Sequence, residues 1–407
     1  MVPLAKDLTT RHYFNKVEHK EMKEIKLVFA SDSFKGSLTQ LEISEILSIV
    51  AKKVFINPII ENVIVSDGGE GALDAIIRAK NGKIITKEVF DPIFRKILAR
   101  YGVYEDTAVI SMSEASGLPL LTEEEKNPLI TTTFGTGELV LSAINEGYKN
   151  IIITIGGSAT NDGGIGALIA LGAKFYLEGG TLAKGVGEEL EKIERVDFSP
   201  LKKYKDIKFT VLCDVNNPLT GERGATAVYS KQKGATLEMM EILESGMINY
   251  ENKVFEHLGL AKTQIIGGGA AGGLGFALKI GLNAQMVSGI DYILDLNEFD
   301  QKIKGATAII TGEGRIDGQS VQGKVISGIL NKANKQGVPV FAIVGSVGKG
   351  FEKAYEMGIS GVFSIINKPD SLENVLMNSK ELYAQTAKSL FETIKAIKKG
   401  ENYEKRL

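Results

Sequence analysis

Residues 150–164 read NIIITIGGSATNDGG. An apolar run stops at Ile155, and every position from Gly156 to Gly164 is Gly, Ser, Ala, Thr, Asn or Asp. A short apolar run that ends abruptly at turn-forming residues reads as a buried strand leaving its sheet. The loop after it gives up side-chain packing and costs backbone entropy. It is therefore a tight turn, a phosphate cradle, or a seat for a metal or small substrate.

The same step from strand to glycine-rich loop recurs along the chain. KLVFA (26–30) runs into SDSFKGS, and NVIVS (62–66) into DGGEG. KFTVLC (208–213) runs into DVNNPLTGERGA, TAIIT (307–311) into GEGRIDGQ, and VPVFAIV (338–344) into GSVGKG. Helical patterns follow the outer strands, the first over 39–55 with a capping box of Thr39 and Glu42. Another runs from Gly71 to Lys80, and the last runs through the C-terminal tail after GVFSII (361–366). Strands with helical spacers of this length predict parallel βαβ units. Between them, KIITKEVFD and RKILARYGVY flank an Asp91–Pro92 turn and predict antiparallel pairing. A strand TAVISMSE, helices near 137–147, 165–172 and 236–258, and the run GGGAAGGLGFALKIG complete this middle part.

The expected architecture is two dissimilar α/β domains with a cleft between. One is a doubly wound, Rossmann/flavodoxin-like parallel-sheet domain built from 25–75 plus 285–400. The other is an inserted mixed-sheet α/β domain over 76–284. Residues 1–24 read as a polar extension with no apolar core of the kind a secretory signal has.

Bulk properties narrow the function. The 407 residues carry a formal net charge of −2, so no basic field points to nucleic acid or an anionic membrane. The single cysteine, Cys213, excludes an intrachain disulfide and a Cys-based zinc site, and reads as a small buried hydrophobe. The uncharged stretch Thr263–Leu278 is too short and too glycine-rich for a membrane span. A cytoplasmic protein is expected, with oligomerisation left open. Glycine is the outlier, with 46 residues clustered at the ends of apolar runs.

Ligands of doubly wound sheets bind beyond the carboxyl ends of the strands. The loops there hold Asp32, Asp67, Glu70, Asp162, Asp214, Glu313 and Asp317, with Lys35, Arg315 and Lys324. They hold no histidine, the three being His12, His19 and His257, which argues against a His triad or a His-ligated metal. Carboxylates beside cations and backbone N–H groups suit Mg2+ and phosphate, the parts that phosphoryl transfer needs. Two lookalikes carry less. GQSVQGKV (318–325) has the P-loop spacing but Val325 where the metal-binding hydroxyl belongs. GGGAAG (267–272), with Asp291 further on, mimics a dinucleotide fingerprint after a very short strand. It keeps open the alternative of a nicotinamide-dependent oxidoreductase acting on a small hydroxy acid.

Taken together, DSFKGSLT (32–39), DGGEG (67–71), IGGSATNDGGIGAL (155–168), CDVNNPLTGERGA (213–225), GGGAAGGLGFAL (267–278), GIDYILD (289–295) and ITGEGRIDGQSVQGK (310–324) resemble the bacterial type I glycerate kinase family. The resemblance spans nearly all of residues 26–350. It implies ATP-dependent phosphorylation of D-glycerate to 2-phosphoglycerate between two α/β domains. On that footing Asp67, Asp317, Arg315 and Lys35 are the candidate catalytic residues. Ser158, Asn161, Asp162, Asp32, Gly268 and Gly269 are expected at the substrate, with the amides of 156–164 and 267–273 holding anionic groups. Asp214 and Glu313 are expected at Mg2+. Which carboxylate is base and which binds metal stays open.

Overall fold

The computed structural model describes residues 24–34, 36–66, 69, 71–318 and 324–404. Residues 1–23 of the polar extension, Lys35, Asp67, Glu70 and most of the P-loop lookalike lie outside the described residues.

The chain opens with β1 (Lys26–Phe29) and β2 (Ile59–Asn62). It then builds β3 (Lys83–Phe90), β4 (Lys96–Tyr104), β5 (Thr107–Ser111), β6 (Asn150–Thr154), β7 (Lys174–Leu177), β8 (Ile193–Asp197), β9 (Lys208–Leu212) and β10 (Gln285–Val287). It ends with β11 (Ala308–Thr311), β12 (Arg315–Ile316), β13 (Val340–Val344), β14 (Ser346–Val347) and β15 (Gly361–Ser364). One sheet, in the order β15-β13-β11-β1-β2, is parallel throughout. The other, β10-β9-β6-β5-β4-β3, is parallel from β10 to β5 and antiparallel across β4 and β3. The expected pair of α/β sheets, one parallel and one mixed, is therefore present.

Alternation explains the layers. Successive side chains of a strand point to opposite faces, so a strand covered on both sides must be apolar throughout. In β1, Val28 faces a cluster with Ile326, Ile329 and Leu330 of the helix Lys324–Gln336. Its neighbours Leu27 and Phe29 face Ile43 and Leu47 of Gln40–Val54, and Phe391 of Ser379–Glu404. The first of these helices carries the expected box: Thr39 Oγ1 accepts from Glu42 N, and Thr39 N donates to a Glu42 carboxylate oxygen.

Helices also join the two sheets. On the mixed sheet, Val109, Ile152 and Leu212 pack against Leu73, Ile76 and Ile77 of Ala72–Ala79 and against Ile293 of Gly289–Leu296. From the same helix Gly289–Leu296, Ile290 and Leu294 enter the core of the parallel sheet. This one helix thus sits against both sheets.

Two boundaries differ most from the sequence reading, which also names no strand at β7, β8, β10, β12 or β14. The second strand was expected over 62–66 but pairs over Ile59–Asn62. β1 ends at Phe29, so beyond Asn62 no ladder partner continues; Val63 N still donates to Phe29 O at 2.8 Å, and the side chain of Gln40 takes Val65 O at 2.5 Å. The helix expected over 137–147 spans Phe134–Asn145, since Gly135 and Gly137 at its buried face allow close backbone packing that outweighs their poor helix propensity.

Candidate functional site

The parallel strands of each sheet deliver their loops to one edge. In the parallel sheet these loops are stitched together: Asp32 N donates to Gly312 O at 2.9 Å, Thr311 Oγ1 to Ala30 O at 2.9 Å, and Gly345 N to Glu313 O at 3.1 Å. The edges of the two sheets face each other. A Cβ on Gly156, just after β6, would lie 2.5 Å from the Cα of Gly69, in the loop after β2. Only glycine at that point lets the loops from opposite sheets meet.

On the parallel-sheet side, Arg315 Nε lies 3.6 Å from Asp317 Oδ2, with the arginine side chain 66% exposed and the aspartate 29%. Gly348 packs beside both. Asp32 Oδ1 accepts from Ser33 N at 2.7 Å and Gln40 Nε2 at 3.1 Å, so it orders the turn after β1. On the other side Ser158 is buried and pairs across a bridge with Gly117. Ser111 Oγ lies 2.9 Å from Ser113 Oγ, and the Ser113 Cβ is a close neighbour of Gly157.

The loop 156–164 departs from the expectation. Asn161 and Asp162, read as facing a ligand, are both wholly buried. Asp162 accepts from Thr133 N at 2.8 Å, Thr133 Oγ1 at 2.6 Å, Gly164 N at 3.1 Å and Gly166 N at 3.2 Å. It satisfies the first amides of the helix Ile165–Ala170, which would otherwise be orphaned. Asn161 Nδ2 donates to Thr226 Oγ1 at 3.1 Å. Part of the expected amide cradle is also committed elsewhere. Gly163 N bonds Gly272 O, Gly268 N bonds Ile265 O, and Gly269 N bonds Asn217 O. A Cβ on Gly273 would lie 2.5 Å from the Cα of Gly163, and one on Gly272 or Gly269 would collide with Thr160 O or Pro218 O. The glycines of the two loops serve loop-on-loop packing. No strand leads into Gly267 either, so the dinucleotide fingerprint lacks its required context.

That packing encloses a residue that sequence reasoning passed over. Lys233 is 1% exposed, and its Nζ donates to Thr160 O at 2.6 Å. Burial pushes its amine down to about 7, with the charge of Asp162 acting in the opposite direction. Burial likewise raises the Asp162 carboxyl, opposed by its four donors. Lysine is almost always exposed, so nothing in KQKGA distinguished this one.

A cavity of about 410 Å³ opens where the helix Gly289–Leu296 meets both sheets. Its walls are the loop Cys213–Asn216, Ile266 and Gly267, the end of β10 with Ser288 to Asp291, and Ser327, Gly328 and Asn331. Cys213, expected in the core, is half-buried on this wall, its thiol donating to Val215 O at 3.4 Å. Asp214 Oδ1 accepts from Ser288 Oγ at 3.0 Å and Gly289 N at 2.8 Å, which fixes its carboxylate at the start of that helix. Glu313 is not on this wall. Mg2+ is commonly held by one or two carboxylates with substrate phosphates, and Asp214 offers such an oxygen-donor group. Among the described residues no three Asp, Glu, His or Cys side chains form a metal-binding group, and no helix is long and apolar enough to cross a membrane.

Comparison with known proteins agrees with this architecture. The family model described as "Glycerate kinase family" matches residues 27–395. A glycerate kinase of Bacillus cereus is 42% identical over 369 residues, covering 90% of this chain and 97% of that protein. A glycerate 2-kinase of Escherichia coli is 38% identical over 373 residues, covering 91% and 98%. The crystal structure described as a glycerate kinase 2 from Salmonella typhimurium superposes with a TM-score of 0.81 at 38% identity, covering 92% of this chain and all of that one. None of these relatives supports a nicotinamide oxidoreductase. With two α/β sheets whose strand-end loops face each other, and a family match across nearly the whole described length, the chain belongs to the glycerate kinase family and is a kinase acting on a small molecule.

Proposed function

We propose that this kinase transfers the γ-phosphoryl group of ATP to the 2-hydroxyl of D-glycerate, giving 2-phosphoglycerate and ADP, in the cleft between the facing strand-end loops. The observation that carries this is the approach of the two edges at Gly69 and Gly156, which brings polar loops of both sheets to one place. A reaction that must position two anionic partners and exclude water is served by a cleft between two lobes. We divide the chain into a parallel-sheet lobe, expected over 25–75 plus 285–400, and a mixed-sheet lobe, expected over 76–284. We move β10 (Gln285–Val287) and the helix Ala72–Ala79 to the mixed-sheet lobe, on whose sheet they pair and pack. We assign the protein to the cytoplasm.

In this reading Arg315 receives the glycerate carboxylate, since a guanidinium fork matches a planar carboxylate. Asp317, 3.6 Å from Arg315, accepts the proton of the attacking hydroxyl, with Asp67 as the alternative. Lys35 neutralises charge on the transferring phosphoryl group. Asp32 orders the turn after β1, and Ser158 offers a hydroxyl to the substrate. Asp214 would hold Mg2+ beside the nucleotide phosphates, where the ion would supply further charge neutralisation; Glu313, the second ligand we propose, lies off the wall that holds Asp214. ADP release measured over a panel of hydroxy acids, with NMR identification of the product, tests the reading. D-glycerate-dependent ADP release with 2-phosphoglycerate as product supports it. Formation of 3-phosphoglycerate, or a better acceptor among the other acids, overturns it.

A further inference from the structure

We propose that the cavity at the helix Gly289–Leu296 holds the nucleoside of the phosphoryl donor, with Asp291 accepting hydrogen bonds from its ribose hydroxyls. This rests on the kinase reading above. The cavity is too large for the acceptor: about 410 Å³ is the scale of a drug-sized ligand, and a three-carbon acid would leave most of it empty.

Its chemistry also fits a nucleoside better than an acid. The charged side chains among its described walls are Asp214 and Asp291, both acidic. With Asp214 assigned to the metal ion, Asp291 is the acidic group left facing the cavity, and it repels a carboxylate substrate but not an uncharged base and sugar. Ile266, Met286 and Ile290 provide apolar surface for the flat faces of a base, and Asn216 and Asn331 provide amides for its edges. Asp214 already receives two hydrogen bonds at the helix start. Asp291, one turn on, is exposed, and its carboxylate takes no hydrogen bond among the described residues. An exposed carboxylate with free lone pairs at a cavity wall accepts hydrogen bonds from sugar hydroxyls. Gly267 and Asp291 both line the cavity, although no strand leads into Gly267 and the dinucleotide fingerprint itself is not formed. Gly328 is needed for its shape: a Cβ there would lie 2.7 Å from Ile290, so glycine lets the helix Lys324–Gln336 close the wall.

The test compares ATP with 2′-deoxy- and 3′-deoxy-ATP in the wild type and in Asp291→Asn. Losing a hydrogen bond to a carboxylate costs about tenfold or more. The wild type should show a KM for at least one deoxy donor raised by about tenfold. Asp291→Asn should raise the KM for ATP similarly, abolish that discrimination, and leave the glycerate KM within about twofold. A role confined to stability would not remove discrimination between donors. As a second measure, Asn331→Trp should fill the cavity and weaken ADP binding in calorimetry, with an unchanged far-UV spectrum. Equal discrimination in Asp291→Asn and the wild type, or full ADP affinity in Asn331→Trp, overturns the proposal. A wild type that phosphorylates no hydroxy acid with any nucleotide refutes the kinase reading instead.

Discussion

Replacing Lys233 by methionine should remove a pH dependence of stability that the wild type carries. Lys233 is buried, and its amine sits at about 7 in the folded protein against an ordinary 10.5. Between those values the unfolded chain binds more protons than the folded one, so stability rises with pH across that window. Below about 7 the full cost of burying the ammonium is present. The gap corresponds to about 5 kcal/mol over the whole window, of which about 3 kcal/mol develops between about pH 6 and pH 9.5. Lys233→Met keeps the length of the side chain and lacks the titrating group. The stability of the wild type minus that of the variant should therefore climb by about 3 kcal/mol over this range. The absolute offset is not diagnostic: methionine relieves a buried charge and also leaves Thr160 O without its donor, a loss of about 1–3 kcal/mol. Asp162, the charge that acts on Lys233, is present in both proteins. The chain has no tryptophan, so urea unfolding is best followed by far-UV circular dichroism. Parallel stability curves from pH 6 to 9.5, differing by a constant offset, would refute the argument and show an amine that titrates as in water.

Four further outcomes follow from the site. Asp162→Ala removes the partner of four donors and should lower stability by about 3 kcal/mol or more, while the glycerate KM of the folded fraction stays near wild type; a large KM rise at unchanged stability would restore Asp162 as a substrate ligand. Gly269→Ala drives a Cβ into Pro218 O and to within 3.1 Å of Ala225 N, and should cost about 1–3 kcal/mol, read as a lowered unfolding midpoint; an unchanged midpoint would mean that the two loops are loosely packed. Arg315→Ala should raise the glycerate KM at least about tenfold, and Asp317→Asn should lower kcat by about a hundredfold or more; near-wild-type constants in either variant would move that role to Lys35 or Asp67.

The order of the longer strands and of the main helices was legible in the sequence because local signals write it: alternation in KIITKEVFD, helical period and capping in TQLEISEILSIVAKKVF, and turn residues at the strand ends. The short strands β7, β8, β10, β12 and β14 carry no such signal and were not legible. So was the family, because its short motifs recur in one order along the chain. The site was legible only as a set of loops. Which residues of a loop reach solvent depends on what packs against it, and that is a long-range matter. NDGG at 161–164 and GGGAAGG at 267–273 are about a hundred residues apart, yet each fills the other's glycine gaps. The Asp162 carboxylate and several of their amides are thereby turned inward, although their composition is that of a ligand cradle. The same contact buries Lys233, an ordinary surface residue by type. The cavity beside Asp214 and Asp291 likewise exists because one helix sits against both sheets. Local chemistry thus determined the elements and the family. Only the tertiary structure decided which polar groups are consumed by the fold and which stay open to a substrate, since hydrogen-bond partners and burial are set by segments distant in the chain.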